Sequence, residues 1–260
     1  MKLIITGLLI IFLSCTIALG DTLQSPGQSD KPAENGWKYS VTPYAWLIAM
    51  HNKATIHDHS AETNIYFSDI FNNMDMGGEL HFEAKKEKWG FFIDPTYLKI
   101  SANGTLSDGR DVRMTAEEWL VEFGGLYQLG KWSLDERKSR FITLDALAGG
   151  RFFSIKTDLD TSSPINPSKS TDWLDPIIGA RVIADITDRM LLTVWADVGG
   201  FGVGSDFSYN VSGLVGYRFT RTITGLAGYR VLYSDYKAGS NSVRYLTTLH
   251  GPIIGLSFSF

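Results

Sequence analysis

A chain of 260 residues with a net charge of −4 carries no basic footprint for nucleic acid, and that class of partner is not expected. Its single cysteine, Cys15, lies in an N-terminal segment expected to be removed, which would leave the mature chain no thiol for disulfide or metal chemistry. The 15 Phe, 11 Tyr and 7 Trp beside 26 Gly are the composition of aromatic-rich strands, not of helices.

In chain order, Lys2, the apolar run from Leu3 to Leu13 and the small-x-small sequence Ala18-Leu19-Gly20 read as a secretory signal peptide over residues 1–20. The run is too short to cross a bilayer as a helix, which needs roughly 20 apolar residues. Residues 21–36, "DTLQSPGQSDKPAENG", are polar and rich in Pro, Gly and Ser, the composition of a disordered periplasmic linker. The remaining residues, 37–260, form one domain.

From Trp37 the apolar pattern has a period of two. Ten strands follow: Trp37 to Leu47, Met76 to Lys86, Trp89 to Ala102, Arg113 to Leu129, Phe141 to Lys156, Leu174 to Ile186, Met190 to Val203, Phe207 to Phe219, Ile223 to Tyr236 and Val243 to Phe260. Soluble strands average about five or six residues. These are far longer and match the roughly ten-residue tilted strands of a membrane barrel, with length to spare. Tight links at Glu87-Lys88, Thr187 to Arg189 and Thr220 to Thr222 alternate with polar loops, the asymmetry of an up-and-down barrel with short periplasmic turns. The fold expected is therefore all-β, a transmembrane antiparallel barrel of 10 strands with a filled polar lumen, 8 or 12 strands being the alternatives.

If both termini lie on one side, the strand number is even, yet the run from His57 to Ile65 would make an eleventh. Residues from Met50 to Asp75 are accordingly placed in one outer loop. Within it, "FSDIFNNMD" offers Ser68 as the cap of a single helical turn. The apolar residues of that turn could cover the barrel mouth or enter the lumen.

The turns fix register. A two-residue turn at Glu87-Lys88 sets Phe82 against Ile93, Ala84 against Phe91, Glu79 against Thr96 and His81 against Asp94. Three-residue turns pair Val182 with Val194 and Ala184 with Leu192, and Tyr217 with Gly225 and Gly213 with Tyr229. The last two pairs have the form in which an aromatic ring covers a glycine in a curved sheet.

One face so defined carries Trp89, Phe91, Ile93, Trp119, Phe123, Ile178, Val194, Val215, Tyr217 and Phe258, suited to hydrocarbon with aromatic girdles. The other carries Glu79, His81, Glu83, Asp94, Glu118, Glu122, Asp145, Arg151, Asp175, Arg181, Asp185, Asp197, Arg218 and Arg230. Alternation is symmetric and does not itself say which face is inside. The signal peptide, the strand length and the terminal aromatic Phe260 favour the membrane orientation, with lipid as the outer partner.

The chain resembles bacterial outer-membrane β-barrel proteins. The stretch "FSDIFNNMDMGGELHFEAKKEKWGFFIDPTYLKI" in particular resembles a little-characterised set of exported Gram-negative barrels. The resemblance implies an outer-membrane location. It also implies that the final strand "GLSFSF", with Phe258 and Phe260, is the signal read by the barrel assembly machinery. It implies no substrate.

His81, Asp94, Glu79 and Glu83 project from one hairpin into the lumen, where a histidine beside an aspartate can act as a general base. The same residues, paired with arginines, can equally be a structural charge network filling a narrow barrel. His57, His59 and Glu62 are a second set, able to hold a divalent cation from one loop or to be a solvated polar loop. No nucleophile motif or phosphate-cradling glycine loop is present, and no cofactor is expected. Three functions are therefore open: a non-enzymatic, monomeric envelope or surface-interaction barrel, a narrow channel for water or small solutes, and a rim or lumen enzyme acting on lipid or peptide.

Overall fold

The computed structural model describes residues 36–56, 59–105, 111–136, 139–161, 168–238 and 243–260. The expected signal peptide, almost all of the expected linker and His57 lie outside these residues. Within them the elements are β1 (Lys38–Trp46), β2 (Ala49–Ile56), β3 (His59–Ile65), α1 (Phe67–Asn73), β4 (Met74–Lys86), β5 (Trp89–Thr105), β6 (Asp111–Ser133), β7 (Phe141–Thr161), β8 (Ser168–Asp185), β9 (Met190–Gly199), β10 (Phe207–Arg218), β11 (Ile223–Ala238) and β12 (Val243–Ser259).

Strands β1 and β4 to β12 pair antiparallel in sequence order, and β12 closes on β1, with Ser40 opposite Ser259 and Trp46 opposite Ile253. This is the ten-stranded barrel expected from the alternation. Closure leaves no open edge in the barrel circuit, which in hydrocarbon is obligatory. The seam continues to Phe260, whose N–H donates to Tyr39 O at 3.0 Å and whose C=O accepts from Tyr39 N–H at 2.9 Å.

The segment expected to be one outer loop is different. Strand β2 extends the line of β1 along β12, from Ala49 opposite His250 to Ile56 opposite Val243, and β3 folds back on it. The two strands are separated from β1 by a jog at Leu47-Ile48. There Gly251 lies so close to the Leu47 backbone that a Cβ would sit 2.8 Å from its carbonyl carbon, so the closing strand needs a glycine at that point. Parity survives because β2 and β3 add a hairpin to the rim without entering the barrel circuit. The helix is present, but its first turn is held by Asp69, whose carboxylate accepts from Tyr66 N–H at 3.1 Å; Tyr66, not Ser68, is the cap.

Every register derived from turn length is found: Phe82 opposite Ile93, Val182 opposite Val194, Tyr217 opposite Gly225 and Gly213 opposite Tyr229. The covering of glycines by tyrosines is not. A Cβ on Gly213 would meet nothing within 4 Å, and at Gly225 the nearest ring is Phe219. Tyr229 instead turns to His250 on β12, with its hydroxyl 2.7 Å from Nδ1, because a hydrogen-bond partner outweighs contact with a bare backbone. The long turn after Leu129 is shortened by strand continuation to Ser133, past a bulge between Gln128 and Gly130. Strand β9 stops at Gly199, and the short return to β10 uses positive φ at Gly200, Phe201 and Gly202.

The faces resolve the symmetry of the alternation. Arg151, Asp145 and Asp175 have 0% exposure, while Trp89, Phe91, Ile178 and Ile254 exceed 50%. Charge is inside and hydrocarbon-compatible surface is outside. No helix among the described residues is long and apolar enough to cross a membrane; the strands are the crossing elements.

Candidate functional site: a layered lumen

Alternate residues of each strand enter the lumen, so a step of two along the chain is a step in depth. At the loop end Trp46, Ile48, Leu120, Phe153, Leu232 and Leu249 form a buried apolar layer, and Ile70 of α1 is packed into it. Trp173 extends this layer by stacking between Phe153 and Tyr236, with ring centroids 4.5 and 4.3 Å away. The helical turn thus serves as part of an apolar cap over the loop-end lumen.

Below the cap lies a charge network joining strands that are distant in sequence. Arg151 Nε donates to Glu122 Oε1 at 2.6 Å, and its Nη2 donates to Asp197 Oδ1 at 2.5 Å. Arg230 reaches the other oxygen of Glu122 at 2.5 Å and Asn210 Oδ1 at 2.9 Å, and its guanidinium carbon lies 4.6 Å from the Trp46 ring centroid. Asn210 and Trp195 both donate to Asp197 Oδ2, at 2.9 and 3.1 Å. Strands β6, β7, β9, β10 and β11 are therefore linked through the interior. Such ions tolerate burial because each has an opposite charge and a further hydrogen bond.

A second branch holds the expected histidine. His81 Nδ1 is 2.9 Å from Asp94 Oδ2, and its Nε2 is 3.8 Å from Glu83 Oε2. Tyr44 donates to the other Asp94 oxygen at 2.6 Å. Arg181 holds Glu83, with Nη2 3.0 Å from Oε1, and also Asp145 at 2.7 Å. Glu79 belongs elsewhere: it accepts the backbone N–H of Trp46 at 2.5 Å, at the base of the cap.

Not every charge expected in the lumen joins the network. Asp175 anchors the loop after β9, accepting the N–H and hydroxyl of Ser205 at 2.6 Å each. Asp185 and Arg218 form a separate pair at the turn end, 2.5 Å apart. Glu118 lies opposite Leu98 and Ile155 and has no ion-pair partner among the described residues. Tyr44, Trp195 and Asn210 also join the network, and their inward parity is the sequence signal that marks them. Of the proposed metal set, Glu62 pairs with Lys53 at 3.0 Å, and no cluster of three ligating residues occurs among the described residues.

On the turn side of the network the lumen widens into a cavity of about 380 Å³. Its floor includes Tyr44, Asp94, Glu122 and Arg230, and its outer part reaches Ser40, Ser257, Ser259, Arg218 and Arg221. The histidine branch faces this cavity and is separated from the loop-end rim by the apolar cap.

A closed antiparallel circuit, a charged interior and an apolar belt define a β-barrel with the fold of outer-membrane barrels. The outer membrane protease OmpT from Escherichia coli has a similar fold, with a TM-score of 0.53 at 10% identity over 90% of this chain and 99% of that one. Also found are Ail, the attachment invasion locus protein of Yersinia pestis, at TM-score 0.37 and 10% identity over 87% of this chain and 99% of that one. Neisserial surface protein A gives 0.30 and 15%, over 86% and 99%. No family profile and no curated protein matches the sequence.

Proposed function

We infer that this protein is a closed, non-conducting and non-enzymatic barrel whose role lies in its envelope-exposed surfaces. The observation that carries the reading is the bridge Asp197–Arg151–Glu122–Arg230, a continuous set of contacts across the interior beneath an apolar layer. A pore needs a connected polar path, and rings of fixed, mutually neutralised charge under packed Leu, Phe and Trp side chains oppose one. Strands of up to 23 residues, with the β2–β3 hairpin, raise the loop-end rim well beyond the roughly ten residues that cross a membrane. That rim is the surface available to other envelope components.

The geometry of His81 supports a structural role for the histidine branch. Nδ1 is held by Asp94 at 2.9 Å and Nε2 lies 3.8 Å from Glu83, itself paired with Arg181, so the ring sits inside the charge network. Phe258 and Phe260 are read as the assembly signal at the closing seam, and the barrel as a monomer whose belt is covered by lipid. Planar-bilayer recording tests the central claim. Purified barrel is expected to give no discrete conductance; reproducible steps in the unmodified protein would make it a channel. Turnover of a lipid or peptide substrate, lost in His81→Asn with unchanged heat-modifiable migration, would make it an enzyme.

A further inference from the structure

Strand β11 descends from the turn-end rim at Thr224, through Leu226, to Arg230 in the charge network. At a rise of about 3.3 Å per residue and a tilt of about 40°, those six steps make the cavity roughly 15 Å deep. Its middle is apolar without being packed. Ile183, Leu191 and Leu226 line it, are only half-buried, and belong to neither apolar cluster of the lumen. Leu191 and Leu226 converge over Gly216, where an added Cβ would lie 2.8 Å from one and 3.1 Å from the other, so they form a continuous apolar ledge. Leaving such a ledge exposed to water in an otherwise charged lumen is unfavourable, at about 25 cal/mol per Å² of apolar surface.

The rim above the ledge has the opposite character. Its turn is tied to the closing seam, since Ser259 N–H donates to Thr222 O at 2.8 Å, which brings Arg221 beside Ser257 and Ser259. Arg218 is neutralised by Asp185. Among the described residues Arg221 has no carboxylate partner, although it lines the cavity. The cavity's carboxylates, Glu83, Asp94 and Glu122, are already engaged by Arg181, His81 and the pair Arg151 and Arg230. The charge left for a ligand is thus positive and at the rim, with hydroxyl donors around it and an apolar slot beneath.

We propose that this turn-end cavity binds a single-chain amphiphilic acid from the periplasmic side, with its anionic head at Arg221 and the Ser257 and Ser259 hydroxyls and its apolar chain along Leu191 and Leu226. The volume lies within the 300–1,000 Å³ range of small-molecule sites, and a depth of roughly 15 Å suits a medium-length chain. The site lies on the turn side of the charge network, whose residues form its floor, and goes beyond the envelope role argued above.

The test is photocrosslinking of the full-length mature barrel in lipid nanodiscs with a diazirine-bearing decanoic acid, mapped by mass spectrometry. Labels are expected on the lumen-facing residues Leu191 and Leu226, and unlabelled decanoate is expected to compete at least ten-fold better than decanol. Lysophosphatidic acid of the same chain length forms a parallel arm: competition by either acid supports the site and identifies its source as free acid or lipid breakdown product. Leu226→Trp, which fills the slot, should abolish lumen labelling. Arg221→Gln, at an exposed turn that folding does not depend on, should reduce the acid's advantage over the alcohol to below two-fold. Labelling confined to outward residues such as Val194 and Val215 would overturn the proposal, as would equal competition by acid and alcohol in the unmodified protein or undiminished lumen labelling in Leu226→Trp.

Discussion

Arg151, which has no exposed surface, donates through Nε to Glu122 Oε1 at 2.6 Å between adjacent strands β7 and β6. The pair is the junction of the network, because Glu122 also takes Arg230 and Arg151 also takes Asp197. Removing one partner strands the other charge in the lumen. Arg151→Met is therefore expected to destabilise the barrel by about 3–5 kcal/mol, and Arg151→Met with Glu122→Gln by less than the sum of the single changes. Urea unfolding followed by heat-modifiable gel migration measures both; additive losses would show that the contact carries no coupling.

His81 and Asp94 face each other from β4 and β5, and each has a further partner in Glu83 or Tyr44. If the pair is structural, His81→Ala and Asp94→Ala should each lower the melting temperature, with a coupling of about 0.5–3 kcal/mol in the double-mutant cycle. Zero coupling would remove the pair from the network.

Phe260 is fixed to Tyr39 by two backbone hydrogen bonds, and the rings are stacked with centroids 6.0 Å apart. The residue is 71% exposed, so its burial contributes little to the finished fold. Deleting Phe260 should reduce the yield of assembled barrel in cells several-fold while leaving the melting of protein refolded in detergent nearly unchanged. Equal loss in both measurements would assign the residue to stability alone.

The turn after β6 provides a pH-dependent element outside the membrane-crossing segments. Asp135 is held down to about 2, first by the Ser139 hydroxyl at 2.5 Å and then by the Arg140 N–H at 3.1 Å. Because the folded value lies below the ordinary carboxylate value, its stabilisation is present above about pH 4 and is lost as pH falls toward 2. Amide exchange at Ser139 and Arg140 should accelerate across that window relative to the rest of the barrel, and Asp135→Asn should make exchange fast at both ends of it. A pH-independent pattern in the unmodified turn would contradict the assignment.

Ile70 is the one buried residue of α1 and packs into the apolar cap. Ile70→Asp should release α1 and raise its protease sensitivity, yet leave the barrel non-conducting, because the charge bridge lies beneath the cap. Conductance steps in this variant would locate the barrier in the cap and not in the network.

Much of this was legible in the chain because a strand has a period of two. Short turns such as Glu87-Lys88 then fix register without tertiary information, and they placed His81 opposite Asp94 correctly. The Met50 to Asp75 segment was less legible. Its polar alternation is compatible with loop or strand, and the deciding factor is the edge of Val243–His250 on β12 that faces away from β11 and lies beyond β1, which serves as a template for β2. Likewise, a turn can align Tyr229 with Gly213 but cannot foretell that His250 on the next strand is the better partner.

The sequence by itself pointed to ten strands in the barrel circuit, with 8 or 12 open, and determined the register of its tight hairpins and the membership of its two faces, since these depend on local spacing. Only the tertiary structure decided which face was inward and which inward charges met. Arg230 and Tyr44, 186 positions apart, approach to 3.5 Å because closure of β12 on β1 returns the last strands to the first. The same closure creates the order of apolar cap, charge network and turn-end cavity. Depth in a barrel is set jointly by tilt, shear and register around the whole circuit, and no single segment contains that information.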